Sequence, residues 1–299
     1  MTNALTNVSN DLAAIAAAAS PGIVRVEGRR RLPASGIVWS ADGLVVTAHH
    51  VVEQEEGLQV GLADGRAAPA TLVGRDPTTD IALLRVQAGG LTPLPWAEPE
   101  TARVGHLVLA LGRPGAGILA TLGVVSALGE AWRTPLGGRI DRLLQTDAAM
   151  YPGFSGGPLV DASGRVLGPN TTAILRGLAV AIPAPTVRRV VETLLAHGKV
   201  QRGYMGVGAQ TVRLPAALEA QAGQATGLLL VSVEAASPAG QAGLVMGDTI
   251  IAFDGQPVRR LEDLLGQLTA ERIGRAVSVR IIRGGQVQDR TVTIAAKDE

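Results

Sequence analysis

Residues 145–160 read QTDAAMYPGFSGGPLV and place one serine, Ser155, in a turn rich in glycine and proline. Gly153 can adopt a positive φ that a side chain would resist, so the backbone can come close to a bound molecule there. A turn held in this way can direct the N–H groups of Gly153 and Ser155 at one point, which is what an oxyanion hole requires. The segment therefore predicts a nucleophilic serine between two strands.

A serine is a weak nucleophile unless a base takes its proton and an acid orients that base. The candidate base is His50, at the end of an apolar strand, with His49 beside it as the alternative. The candidate acid is Asp80, which opens the apolar run 81–86 that is typical of a buried strand. Asp76 is the competing carboxylate. The order His, Asp, Ser along the chain is that of chymotrypsin-like double barrels and differs from subtilisins and α/β-hydrolases.

The composition indicates a globular chain and excludes several kinds of chemistry. Apolar residues make up 46% and charged residues 18% of the 299 residues, so disorder is excluded. The chain contains no cysteine, which excludes disulfides, thiolate catalysis and cysteine-based zinc sites. A net charge of +1 lacks the basic footprint of a nucleic-acid-binding protein. The four histidines are scattered without a nearby carboxylate pair, so we expect no metal and no cofactor.

The pattern along the chain changes near residue 203. From about residue 20 to 183, short apolar runs alternate with Gly, Pro, Asp and Asn, which is typical of barrels or sandwiches. A helix is predicted from Pro185 to His197, with Gly198 as its stop signal. The remainder predicts a smaller unit with strands, and a helix over 260–269. Residues 1–19 are rich in alanine and predict a short helix.

The chain resembles the HtrA/Deg family of trypsin-like serine proteases with one C-terminal PDZ domain. The resemblance covers about residues 20–296 and depends on motifs in the family's order and spacing: 47–52, 74–82, 145–149 and 153–159. It implies a mostly β protein, with a chymotrypsin-like pair of six-stranded β-barrels followed by a PDZ domain of the α+β type. The implied organisation is an N-terminal segment at 1–19, a protease domain at 20–184, a helix and linker at 185–202 and the PDZ domain at 203–299.

The resemblance selects among the candidates. The family's histidine stands directly before Val-Val, which selects His50, and its acid directly precedes the Ile-Ala run, which selects Asp80. The catalytic residues it implies are therefore His50, Asp80 and Ser155. The family usually has Asn before the serine, whereas this chain has Phe154. A bulky side chain at that position needs a pocket of its own, or else it closes the oxyanion hole at rest.

Two binding regions follow from the same resemblance. In trypsin-like folds the base of the specificity pocket lies six residues before the nucleophile, here Ala149, and Leu178, Ala179, Val180 and Ala181 would form the other wall. Such a pocket predicts Val, Ala, Leu or Ile before the scissile bond. In the PDZ domain, the loop of Tyr204, Met205, Gly206 and Val207 would bind a peptide's terminal carboxylate, with Leu261 and Leu265 lining the side-chain pocket.

The expected function is that of an ATP-independent serine endopeptidase acting on unfolded or misfolded proteins, with C-terminal peptides captured at the PDZ domain. The alternative is a peptide-binding chaperone or scaffold with a silent or conditionally active protease domain. The resemblance implies a homotrimer, but the aromatic N-terminal residues of family trimers are missing. No membrane anchor and no clear signal peptide are recognisable. The sequence as given therefore indicates a cytoplasmic protein, and the resemblance indicates an extracytoplasmic one if the N-terminus is trimmed.

Overall fold

The chain forms two compact units in a computed structural model that describes residues 3–30, 32–98, 101–175 and 177–296. The first unit comprises Met1–Thr134 and Arg139–Val200, and the second comprises Pro135–Gly138 and Gln201–Glu299. Each unit has hydrophobic clusters built only from its own residues. The predicted helix and linker at 185–202 divides at this boundary, since the helix lies in the first unit.

The first barrel is closed and antiparallel. Helix α1, Ala4–Ala19, precedes it. The side chain of Asn3, the N-cap residue of this helix, accepts a hydrogen bond from the N–H of Leu5. Its strand order is β1-β2-β3-β6-β5-β4, with β1 pairing β4 to close it. The strands are β1 Ile23–Glu27, β2 Ala34–Val38, β3 Leu44–Ala48, β4 Gln59–Gly61, β5 Ala67–Asp76 and β6 Ile81–Val86. Small aliphatic side chains fill its interior, as the low aromatic content requires.

The second barrel repeats the architecture with the order β11-β14-β13-β12-β7-β8 and closes through β8 and β11. Between β8 and β11 in the chain, β9 and β10 pair with each other in a separate two-stranded sheet. The strands are β7 Leu107–Gly112, β8 Leu119–Leu128, β9 Trp132–Arg133, β10 Arg139–Ile140, β11 Leu144–Thr146, β12 Pro158–Asp161, β13 Val166–Thr171 and β14 Ala179–Ala181. The prediction of two six-stranded barrels is confirmed.

Helix α2, Ala184–His197, completes the first unit. Its buried residues Val187, Val190, Val191 and Leu194 recur on one face, and this face packs on β5, β6 and β13. The helix ends at Gly198, whose φ of 71° is the left-handed conformation that favours glycine at a helix C-terminus. The predicted start, Pro185, is one residue from the observed one.

The second unit is a sheet with short helices. Its strand order is β16-β17-β18-β20-β21, with β19 on β18, while β15 pairs separately with β22. The strands are β15 Gly203–Tyr204, β16 Val207–Arg213, β17 Thr226–Val233, β18 Thr249–Phe253, β19 Gln256–Pro257, β20 Ala276–Arg283, β21 Gln286–Thr293 and β22 Ala295–Ala296, and the helices are α3 Ala216–Ala222, α4 Pro238–Gln241 and α5 Leu261–Gln267. The prediction of a smaller α+β unit is confirmed. Among the described residues, no helix combines the length and the apolar character needed to cross a membrane.

Candidate active site

Two strand ends of the first barrel bring His50 and Asp80 together. His50 lies in the 3-10 turn His49–Val51 that follows β3, and Asp80 directly precedes β6. β3 and β6 are neighbours in the barrel, and their register pairs Ala48 with Ile81. The residues next to this pair therefore leave the barrel at the same point, which places the imidazole beside the carboxylate.

Three side chains form one hydrogen-bonded chain. Nδ1 of His50 lies 2.8 Å from Oδ2 and 3.0 Å from Oδ1 of Asp80. Nε2 of the same ring lies 3.1 Å from Oγ of Ser155, in the turn between β11 and β12. Because a carboxylate can only accept, Nδ1 carries the proton of the neutral ring, and Nε2 is left to accept the proton of the hydroxyl. This is the arrangement that activates a serine.

Asp80 is buried and fully engaged. It is 4% exposed, and its carboxylate accepts from the backbone N–H of His50 at 2.9 Å and from Oγ1 of Thr171 at 2.5 Å. Its φ of 58° is left-handed, which is uncommon for a residue other than glycine. Such a conformation costs about 1 kcal/mol or more and persists where the surroundings enforce it, often at functional sites.

The side chain of His49 lies next to the hydrogen-bonded chain of Asp80, His50 and Ser155 but is not part of it. Its backbone N–H donates to the carbonyl oxygen of Asp80 at 3.0 Å, and its buried Nδ1 has no partner among the described residues. Burial lowers the pKa of His49; the negative charge of Asp80 opposes this, and the positive charge of Arg75 adds to it. Of the two adjacent histidines, the structure brings His50 to Ser155.

The serine turn requires two glycines. Gly153 has a φ of 96° and Gly156 a φ of 81°, both in the region that favours glycine. A Cβ on Gly153 would lie 2.4 Å from Cβ of Pro114, and a Cβ on Gly156 would lie 2.3 Å from the carbonyl oxygen of Ser35. No other residue type fits either position without displacing its neighbours.

The N–H groups next to the nucleophile differ in whether they have an acceptor in the described chain. The N–H of Phe154 donates to the carbonyl oxygen of Tyr151 at 3.0 Å. The N–H groups of Gly153 and Ser155, in contrast, donate to no acceptor within the part of the chain that the structure describes. Both residues line the cavity that His50 also lines. Free donors beside a nucleophile are the elements of an oxyanion hole.

Phe154 has a pocket of its own. Its side chain is 0% exposed and belongs to the core of the second barrel. The ring meets Tyr151 edge to face, with centroids 5.9 Å apart and planes at 88°. Of the two possibilities for this bulky residue, the structure therefore has the ring turned into the barrel core.

The cavity at the serine has a volume of about 280 Å³. It is lined by Arg29, His50, Met150, Tyr151, Pro152, Gly153, Ser155, Asn170, Thr171 and Thr172. The residues predicted to form a specificity pocket are absent from this lining. Ala149 is exposed, and its carbonyl oxygen accepts from Oγ1 of Thr121, while Leu178 is 40% exposed. Ala179, Val180 and Ala181 form β14, with Val180 and Ala181 buried.

The second unit presents a loop and an edge strand at the predicted peptide site. Met205 is 1% exposed and anchors the loop in the core, and Gly206 has a φ of 77°. Within the described chain, the N–H groups of Met205 and Gly206 donate to no acceptor. Val207 begins β16, which lies at the edge of the sheet. Tyr204 donates from Oη to Oε2 of Glu234 at 2.5 Å, and this bond raises the pKa of Tyr204.

Helix α5 lies beside this edge strand. Leu261 and Leu265 are one turn apart on α5, half-buried, and packed against the core of the unit. Their spacing places both side chains on the same face of the helix. The loop, the edge strand and these two leucines thus lie within one unit, where the sequence predicts peptide binding by strand addition.

Two known protein families match separate stretches of this chain. The family described as "Trypsin-like peptidase domain" matches residues 34–168, and that described as "PDZ domain" matches residues 203–294. Among solved structures, the serine endoprotease from Yersinia pestis is 30% identical with a TM-score of 0.74, and the alignment covers 100% of both chains. The HtrA-type protease AlgW with a tripeptide is 31% identical with a TM-score of 0.72, covering 96% of this chain and 97% of that one. The chain belongs to the HtrA-type serine proteases.

Curated relatives of this HtrA-type chain are longer than it is. The "Probable periplasmic serine endoprotease DegP-like" of Chlamydia trachomatis is 35% identical over 276 residues, which are 90% of this chain and 55% of the relative. The chain thus spans just over half the length of that protein. The predicted family membership is confirmed.

Three residues at the HtrA-type site were not predicted from the sequence. Thr171 ends β13 and binds Asp80, yet a threonine at the end of an apolar strand carries no local signal. Asn170 lies on the cavity wall with its side-chain amide buried and without a partner in the described chain. Ser35 is buried in β2 against the serine turn. No group of three or more His, Cys, Asp or Glu in the described residues is arranged to hold a metal ion.

Proposed function

We propose that the protein is a serine endopeptidase in which Ser155 is the nucleophile, His50 the general base and Asp80 the orienting acid. The observation that carries the proposal is the hydrogen-bonded chain from the carboxylate of Asp80 to the hydroxyl of Ser155. Its support is geometric, since each neighbouring pair is within the distance over which a proton is transferred. No cofactor enters the reaction.

The reaction proceeds in two halves. Oγ of Ser155 attacks the carbonyl carbon of the scissile bond while Nε2 of His50 takes the hydroxyl proton. The resulting imidazolium is stabilised by Asp80 and donates its proton to the leaving amine, which departs and leaves an ester on Ser155. Water, activated by the same imidazole, then hydrolyses that ester and regenerates the hydroxyl.

The oxyanion of each tetrahedral intermediate would be bound by the N–H groups of Gly153 and Ser155. Both donors are free in the described chain, and both residues line the cavity at the nucleophile. Preformed donors of this type stabilise the transition state by about 3 kcal/mol each in comparable enzymes.

The pocket for the residue before the scissile bond would favour uncharged side chains of modest size. The cavity lining contains no carboxylate among the described residues, and its one cation, Arg29, disfavours lysine and arginine. We therefore propose that this pocket prefers Val, Ala, Leu or Ile before the scissile bond. The base and wall that the resemblance implies, Ala149 and residues 178–181, lie outside the lining of this cavity, whereas Met150, next to Ala149, lines it and would contact the substrate side chain.

Substrates of the endopeptidase would be unfolded or misfolded proteins, whose extended segments reach a cavity of this size. Their C-termini would be captured in the second unit by addition of a strand to β16, with the terminal carboxylate at residues 204–207 and the side chains at Leu261 and Leu265. The support is the pair of free N–H groups in that loop and the edge position of the strand.

Cleavage of casein by the wild type and by Ser155→Ala tests the proposed function. The wild type is expected to degrade unfolded casein without ATP, and Ser155→Ala to be inactive while retaining its fold. Equal degradation by both proteins would identify a contaminant and contradict the proposal. A folded wild type that binds C-terminal peptides and leaves casein intact would favour the alternative of a peptide-binding scaffold. No observation on Phe154 favours that alternative, since its ring is buried away from the cavity.

A further inference from the structure

One buried serine on the first barrel contacts the turn that holds the nucleophile. Ser35 lies in β2 and is 0% exposed. Its hydroxyl donates to the carbonyl oxygen of Gly153 at 2.7 Å, and its backbone N–H donates to the carbonyl oxygen of Ser155 at 3.1 Å. Gly153 and Ser155, whose N–H groups have no acceptor in the described chain, are therefore both held, through their carbonyl groups, by the same residue.

The direction of these bonds is fixed. The backbone N–H of Arg113 donates to Oγ of Ser35 at 2.7 Å. Because this N–H can only donate, Oγ accepts there through one of its lone pairs, and the hydroxyl proton is donated to Gly153. The carbonyl oxygen of Ser35 in turn accepts from Oγ1 of Thr47 at 2.7 Å, so the hydroxyl and both backbone groups of Ser35 have a partner.

Arg113 is itself immobilised. Its side chain is buried, and its guanidinium donates to neutral oxygens: the carbonyls of Ile23, Ala116 and Ser20, and the hydroxyl of Ser20. The donor to Ser35 is thus part of a rigid framework. A hydroxyl oriented from one side by a fixed N–H can hold a carbonyl on the other side in one position.

We propose that Ser35 is a positioning residue for the oxyanion hole: by binding the carbonyl groups of Gly153 and Ser155, it fixes the orientation of the turn that presents their N–H groups to the substrate. This inference rests on the proposed function. Ser35 touches neither the substrate nor the reacting atoms. Its effect is on how well the donors are placed when the tetrahedral intermediate forms, and displacement of such donors lowers kcat.

The test is the steady-state kinetics of Ser35→Ala on a fluorogenic peptide, together with inhibition by a peptide boronic acid. The boronic acid forms a tetrahedral adduct and depends on the oxyanion hole, as the transition state does. We expect kcat to fall about 10- to 100-fold, less than the loss of a whole donor, with KM changed less than about twofold. The affinity for the boronic acid should fall by a factor similar to that in kcat.

Thr186→Val is the matched control. Thr186 is equally buried in the first unit, and its hydroxyl also donates once, to Asp141, and accepts once from a backbone N–H. Both variants lose a buried hydroxyl, and both should lower the unfolding midpoint. Only Ser35→Ala should lose kcat. If Ser35→Ala does not fold, Ser35→Cys keeps nearly the same volume with a weaker donor and is measured in the same way.

The Ser155→Ala variant tests the proposed function, and the Ser35 variants test the positioning role. Peptide cleavage by the wild type that is lost in Ser155→Ala supports the proposed function, whatever Ser35→Ala does. With that established, an unchanged kcat in a folded Ser35 variant would overturn the positioning role. A fall in kcat equal to that of Thr186→Val, or a rise in KM with kcat unchanged, would also overturn it.

Discussion

At the scale of single residues, the two adjacent histidines have different environments. His50 reaches both Asp80 and Ser155 through its ring nitrogens, whereas Nδ1 of His49 has no partner in the described chain. His50→Ala should lower kcat by about 10⁴-fold or more, because the hydroxyl of Ser155 then has no base. His49→Gln should keep kcat within about fivefold, since its ring takes part in no step. The measurement is kcat on the same fluorogenic peptide. Equal losses in the two variants would contradict the assignment of the base.

Thr171 provides a more sensitive test of the site, because it touches Asp80 and not the serine. Thr171→Val has nearly the same shape but removes the donor to Oδ2 of Asp80 and the acceptor for the N–H of Ala173, and only the first of these bonds reaches the triad. The carboxylate keeps its two bonds from His50, so we expect kcat to fall about 10-fold, as for the loss of one hydrogen bond. A folded Thr171→Val variant with the wild-type kcat would show that this bond does not help to orient His50.

The sequence singles out the three residues that the structure brings together and misses the residues around them, for a physical reason. His50, Asp80 and Ser155 lie in local patterns, each at a strand end or a glycine turn. Thr171 and Ser35 act through contacts 91 and 118 residues away in the chain, to Asp80 and Gly153 respectively. No local pattern contains such pairings, since they exist only after the two barrels have closed.

At the scale of secondary-structure elements, the sequence indicates the strands but not which residues line the cavity. Glycine, proline and short apolar runs indicate barrels or sandwiches, whereas the pair of six-stranded barrels was predicted from the family resemblance. The residues that line the cavity could not be predicted, because they come together from distant parts of the chain, such as His50 and Asn170. Met150 lines the cavity and its neighbour Ala149 does not.

The end of β20 carries a buried ion pair that can be tested by pH. Asp248 is 1% exposed, and both of its carboxylate oxygens accept from the guanidinium of Arg283 at 2.7 Å. Burial alone would raise the pKa of Asp248, but the bonds from Arg283 and from the N–H of Val245 outweigh it, and the pKa lies below its ordinary value. The carboxylate is thus better stabilised in the folded state than in the unfolded state.

The sign of the pH effect follows from this lowered pKa. The stabilisation by Asp248 is fully present above the carboxyl's ordinary pKa of about 3.9 and is lost as the pH falls through its lower folded pKa. Asp248→Asn should destabilise the second unit by about 2 kcal/mol at pH 7, and the difference from the wild type should shrink as the pH falls below about 4. Urea unfolding of both proteins at pH 7 and pH 3 measures this. A difference that grows on acidification would contradict the account.

At the scale of the whole molecule, the two units have separate cores. Phe253 is 0% exposed within the core cluster of the second unit, which contains residues of that unit alone. Phe253→Ala should therefore destabilise the second unit by about 3–5 kcal/mol, because the lost side chain leaves a cavity. Cleavage of a short internal peptide at Ser155 should persist, since the triad lies in the first unit. The measurement is calorimetry beside peptide cleavage. Unfolding of the first unit together with the second would show that the cores are not independent, and loss of peptide cleavage in a folded first unit would show that its activity depends on the second unit.

Covalent labelling of Ser155 is the direct test of whether the first unit carries an assembled serine nucleophile. A fluorophosphonate probe would be added to the protein without any other peptide, and the modified residue located by mass spectrometry of its fragments. We expect one modification, at Ser155, that is absent in Ser155→Ala and strongly slowed in His50→Ala. A folded wild-type protein that remains unmodified, or one modified at another residue, would contradict it.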